Sequence, residues 1–219
     1  MAPEPAIKRT VAFIDGQNLF HSARVAFGHT YPNYDVHALA DRLCQSKGWQ
    51  LAQVRFYTGV PASSDNARWH HFWSAKLAAM GRRGVHVYSR PLRYRAKTVR
   101  LPDGRTFTFR SGEEKGVDVR IALDVIRLAH RGDYDVAVLF SQDQDLSEVA
   151  EEVRIIAAEQ GRWLKLACGF PSSSSSRNRR GINKTDWIRI DQATYDACLD
   201  SRDYRLADRD PGGGDIARC

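Results

Sequence analysis

The sequence predicts a doubly wound α/β fold, with a mostly parallel sheet covered by helices on both faces. Most of its apolar runs (Val11 to Asp15, Val54 to Val60, Val85 to Ser89, Val136 to Ser141, Trp163 to Cys168 and, more weakly, Trp187 to Ile190) are continuous rather than alternating. Continuous runs suit strands buried on both faces. Between them, Asn18 to Phe27, Asp35 to Lys47, Asn66 to Met80, Val119 to Ala129 and Leu146 to Glu159 have helical spacing. Strand and helix in repeated succession mark the α/β class. A chain of 219 residues, 42% hydrophobic and 27% charged, can bury a sizeable core as a single domain.

The first strand ends in Asp15-Gly16 and hands over to a helix near Asn18, a junction where either polar residue can cap. One segment interrupts the alternation: Thr98 to Leu101 and Arg105 to Arg110 flank the turn sequence Pro102-Asp103-Gly104, so a β-hairpin is predicted over about 98–110. The serine run Ser172 to Ser176, continued by Arg177, Asn178, Arg179, Arg180 and Gly181, reads as a flexible loop over 172–181. Three consecutive glycines after Pro211 read as a disordered tail. The expected layout is a leader over 1–9, one domain over 10–195 and a partly disordered tail over 196–219.

No apolar run approaches the ~20 residues of a membrane-spanning helix, and the first residues lack a signal-peptide core. A soluble, cytoplasmic protein without a membrane partner is expected. Cys44, Cys168, Cys198 and Cys219 are far apart and show neither zinc spacing nor a disulfide framework. The net charge of +7 favours a polyanionic partner. Its distribution is more informative. Nine basic residues lie between Arg82 and Arg110 against the single acid Asp103, whereas eight acids lie between Asp133 and Glu159 against Arg154. A basic surface beside an acidic cluster is what a protein holding a phosphate backbone next to metal ions requires.

In an open α/β sheet, ligands bind beyond the carboxyl ends of the strands. Asp15 ends the first strand there, and Asp143 and Asp145 follow the fourth in the run V-L-F-S-Q-D-Q-D-L. A helix cap accounts for one of the latter two carboxylates but not easily for both, and crowded like charges call for a cation or a shared proton. A hard, oxygen-seeking ion, Mg²⁺ or Mn²⁺, is the economical answer. Asp118, in the run E-E-K-G-V-D, sits at a helix start where free N–H groups favour a carboxylate whatever its role. Asp124, six residues on, points away and reads as structural. No G-x-S-x-G, Cys-His or P-loop signature is present.

The order F-I-D-G-Q-N-L, E-K-G-V-D-V-R-I-A-L-D, S-Q-D-Q-D-L, a strand ending in G-F-P, and I-N-K-T-D-W-I-R-I-D resembles the NYN domain family, a branch of the PIN-like ribonuclease superfamily, from about Val11 to Asp191. The resemblance implies a Rossmann-like PIN-type fold and an acidic, Mg²⁺- or Mn²⁺-dependent site that cleaves RNA. By motif position it implies Asp15, Asp118 and Asp143 as metal ligands, Asp145 as a further ligand or water-orienting carboxylate, and Asn18 as polar support. Lys115 and the arginines of the hairpin (Arg100, Arg105, Arg110) and of the serine loop (Arg179, Arg180) are then expected to hold the RNA backbone, with Phe107 or Tyr94 stacking on bases. The chain departs from the family's S-G-D-S-D-F pattern at Gln142, Gln144 and Leu146, and the bulkier side chains are expected to narrow the approach of substrate. The alternatives are a non-catalytic RNA-binding or regulatory member and, more weakly, a phosphohydrolase of another Rossmann-like group, in which the first strand ends D-x-D, whereas here Asp15 is followed by Gly16 and Gln17. The oligomeric state, a homodimer included, stays open.

Overall fold

The computed structural model describes residues 2–174, 176 and 179–205. Its central sheet is built from β1 (Arg9–Asp15), β2 (Gln50–Val60), β3 (His86–Pro91), β6 (Val136–Phe140), β7 (Lys165–Pro171) and β8 (Asp186–Ile190). The spatial order is β3-β2-β1-β6-β7-β8, and every neighbouring pair runs parallel. β1 and β6 are adjacent, in the register Ile14 opposite Phe140. The chain winds outward from β1 to β3 and then returns to add β6 on the other side. The gap between β1 and β6 is therefore the topological switch point, where an open parallel sheet leaves a crevice.

The helices are α1 (Gly16–Phe27), α2 (Val36–Ser46), α3 (Ala67–Arg82), α4 (Val117–Arg131), α5 (Ser147–Glu159) and a short α6 (Gln192–Asp196). The runs of β1 and β6 are continuous because alternate residues feed two separate cores. Ala12 and Ile14 of β1, with Val138 and Phe140 of β6, pack under Leu19, Leu39, Leu43, Phe72 and Trp73 of α1 to α3. Val11, Phe13, Ala137 and Leu139 pack under Val117, Ile121, Val125, Val149 and Val153 of α4 and α5. Each large side chain buried this way contributes roughly 1.5–3 kcal/mol.

The hairpin, β4 (Arg93–Arg100) paired antiparallel with β5 (Thr106–Glu113), forms its own two-stranded sheet between β3 and α4. It is longer at its base than the sequence pattern indicates. Charged residues such as Arg93, Arg95 and Lys97 mask a strand that backbone pairing alone defines. Between residues 196 and 205 the chain is anchored by the buried Cys198 and Tyr204, and the buried Lys76 donates to the Tyr34 carbonyl at 2.9 Å and pairs with Asp200 at 3.4 Å. The glycine-rich stretch after Pro211, and Ser175, Arg177 and Asn178 of the serine loop, lie outside the described residues. Among the described residues, no helix is long and apolar enough to cross a membrane.

Candidate functional site

A cavity of about 370 Å³ opens at the switch point, lined by Asp15, Glu114, Lys115, Gly116, Asp118, Val119 and Asp143. Three of the four acids singled out in the sequence converge here from three different places: the end of β1, the first turn of α4 and the segment after β6. Asp145 is exposed and is not part of the lining. Asp143 accepts from the Asp145 backbone N–H at 3.0 Å, so the first of the pair caps the short 3₁₀ turn Gln144–Leu146.

Asp15 has two tasks. One carboxylate oxygen caps α1, accepting from the Asn18 backbone N–H at 3.0 Å, and the other lies 3.4 Å from the buried Ser141 hydroxyl. Ser141 Oγ also accepts from the Asp143 N–H at 3.2 Å, so one small hydroxyl links the two acidic segments. The Asn18 side-chain oxygen accepts from the Gln142 N–H at 2.9 Å and fixes α1 against the end of β6. Burial, with the neighbouring charges of Asp143 and Asp118, pushes the Asp15 carboxyl up to about 6 despite the Asn18 and Ser141 contacts.

Glu114, unassigned by the sequence motif that contains it, is the fourth carboxylate of the cavity. It accepts from the Gly59 backbone N–H, and burial together with the Asp15 charge pushes it up to about 8. Gly59 suits this approach, since a Cβ there would crowd the Glu114 carboxylate and the Leu92 side chain and force one of them to shift. Gly116, at φ +75°, starts α4 and leaves room for Arg90, whose guanidinium donates to the Lys115 carbonyl at 3.3 Å. Only the end-of-strand position of Ser141 and the E-E-K-G-V-D run hinted at Ser141 and Glu114 in the sequence.

The two glutamines that break the family pattern turn away from the cavity. The Gln142 side chain donates to the Arg180 carbonyl at 2.8 Å and accepts from Ser22 at 2.8 Å. The Gln144 side chain donates to the Gly181 carbonyl at 3.0 Å and accepts from the Asn183 N–H at 3.2 Å. They tie the acidic segment to residues 180–183. Neither glutamine lines the cavity.

Of the expected RNA contacts, Lys115 is exposed and lines the cavity. Arg100, Arg105 and Arg110 lie on the hairpin, where Arg105 pairs with Asp103 and Arg110 pairs with Asp65 at 3.1 Å and sits over the Tyr94 ring. Arg179 and Arg180 are exposed on the serine loop, Arg179 donating to the Ser176 carbonyl at 3.1 Å.

Among the described residues, no three His, Cys, Asp or Glu side chains are gathered closely enough to hold a metal ion as they stand. The donor set nevertheless fits a hard divalent cation. All four acids of the cavity offer oxygen, and Asp15 is desolvated beside like charges. Mg²⁺ commonly takes only one or two carboxylates and keeps several waters.

A family model described as NYN domain matches residues 9–159. A solved structure of a protein of unknown function from Vibrio parahaemolyticus is similar with a TM-score of 0.50 at 20% identity, over 87% of this chain and 97% of that one, a likeness of fold. MurG from Acinetobacter baumannii is similar over 83% of this chain and 45% of its own at 12% identity, with a TM-score of 0.32. No match was found among curated proteins.

Proposed function

The chain belongs to the NYN domain family, and on that premise we propose that it is a divalent-metal-dependent ribonuclease that hydrolyses RNA phosphodiester bonds in the cavity at the switch point. One observation carries the reading: Asp15, Asp118 and Asp143, distant in sequence, line one cavity with Glu114. Asp15, Asp118 and Asp143 would hold Mg²⁺ or Mn²⁺, with the exposed Asp145 beside them. When bound, such an ion lowers the pKa of water and neutralises charge on the attacked phosphate.

The protein's own groups prepare that chemistry. Asn18 and Ser141 hold the Asp15 carboxylate in place. Without metal, burial and the Asp15 charge push Glu114 up to about 8, and one of its oxygens accepts from Gly59. A carboxyl raised in this way resists adding a further negative charge beside an incoming phosphate. Lys115, in the lining, supplies attraction for the phosphate.

The non-catalytic reading is favoured by the spread of the acids, no three of which stand within joint ligating reach among the described residues. Labelled RNA incubated with Mn²⁺ or EDTA decides between them. Wild type should give metal-dependent products, and Asp143→Asn should abolish them while RNA affinity stays the same or tightens, since a negative charge near phosphate is gone. Absence of metal-dependent product at any protein concentration would leave the regulatory reading, and equal activity in the variant would mark a contaminating nuclease.

A further inference from the structure

The hairpin carries a feature that the cavity does not explain. Phe107 and Phe109 of β5 share a face, their rings nearly parallel at 21° with centroids 6.0 Å apart, and both are exposed, at 56% and 39%. Opposite them in register stand Val99 and Lys97, and further along β4 on the same face are Arg95 and Arg93. Proteins seldom leave neighbouring aromatics in solvent without a partner. The surrounding charge narrows the partner. Between Arg93 and Glu113 there are six basic residues (Arg93, Arg95, Lys97, Arg100, Arg105, Arg110) against Asp103 and Glu113.

We propose that this Phe107–Phe109 face is a base-stacking platform that selects single-stranded RNA. The inference rests on the reading of the chain as an RNA-cleaving protein and adds the class of RNA. Aromatic faces stack on unpaired bases of any sequence, while flanking cations follow the backbone. A duplex keeps its bases stacked on one another and offers the platform nothing but phosphate. The position suits the role. β5 ends at Glu113, and the next residues, Glu114 to Gly116, line the cavity. At roughly 3.4 Å per residue, Phe109 stands about 14 Å and Phe107 about 20 Å along the strand from Glu113. A strand stacked there would be held a few nucleotides from the acids.

The test compares the full-length protein with Phe107→Ala/Phe109→Ala in EDTA, where binding is read without cleavage. The probes are a fluorescently labelled single-stranded RNA and the blunt duplex of the same sequence. Affinity for the single strand should fall by about tenfold or more, with less than about a twofold change for the duplex and an unchanged salt slope. Phe107→Trp/Phe109→Trp should bind the single strand as wild type does. Unchanged single-strand affinity, or an equal loss on both RNAs, would overturn the proposal. So would a shift in oligomeric state at constant RNA affinity, which would assign the face to a second copy of the chain. A parallel Mn²⁺ assay separates the two readings. Loss of binding with no cleavage by either protein leaves the platform standing without the nuclease, and equal cleavage at equal KM leaves the nuclease without the platform.

Discussion

Asp124 and Asp15 are both buried aspartates, 1% and 6% exposed, yet the protein treats them in opposite ways. Asp124, on α4, is met by Arg55 at 2.9 Å, Arg120 at 2.9 Å, Arg127 at 3.0 Å and the Tyr57 hydroxyl at 2.9 Å. Burial works to raise its pKa, but Arg55, Tyr57 and Arg120 outweigh it and hold the carboxyl below its ordinary range. Among the described residues no basic side chain pairs with Asp15, and its neighbours Asp143 and Asp118 add to the push of burial. A carboxylate neutralised by arginines is finished as a structural device. One left among like charges at the mouth of a parallel sheet is, on the proposed function, what a bound cation would relieve.

The largest effect is expected at the structural end of this comparison. Asp124→Ala would leave Arg55, itself buried, without its anion and should cost about 3–5 kcal/mol in urea unfolding. A loss below about 1 kcal/mol would show that the arginines do not depend on it.

At the other end the sign reverses. The folded-state value of Asp15 is about 6 against an ordinary 3.8, and that of Glu114 about 8 against 4.5. Groups raised in this way add stability that is full below pH ~4 and is lost as pH rises through 6 and then 8. Metal-free wild type should therefore weaken across that window, and Asp15→Asn should be more stable than wild type at pH 8 by roughly 2–3 kcal/mol. A decline of the same steepness in Asp15→Asn/Glu114→Gln would remove the carboxylates as its cause.

The smallest effect tests the frame around the site. Gln142→Ala removes the bonds to the Arg180 carbonyl and the Ser22 hydroxyl and should lower stability by about 1 kcal/mol while leaving the Asp15 titration where it is. A large shift in that titration would mean that Gln142 shapes the cavity after all.

Much of this was readable from residue order. The central strands β1 and β6 read as uninterrupted apolar runs because each feeds two cores, and Asp124 is separable from Asp118 because six residues along a helix carry a side chain to a different face. Glu114 carries no signal in the sequence because it belongs to no period. It lies between β5 and α4, and the backbone N–H it accepts from belongs to Gly59 on the distant β2. The bulk of Gln142 and Gln144 led to the expectation of a narrowed approach, whereas their amides are spent on residues 180–183. α6 was missed because five residues are too few for a periodic signal, although its cap is visible in Asp191, which accepts from the Thr194 N–H at 2.8 Å.

By itself the sequence determined the α/β class, the places of the strands and long helices, and which aspartates end strands or begin helices, because periodicity, turn chemistry and capping act over a few residues. Tertiary structure alone decided that β6 returns to lie beside β1, bringing Asp143 to Asp15, and that arginines reach Asp124 whereas acids crowd Asp15. Those outcomes depend on pairings between distant segments and on what surrounds a carboxylate once water is excluded. Both are set by packing rather than by neighbours along the chain.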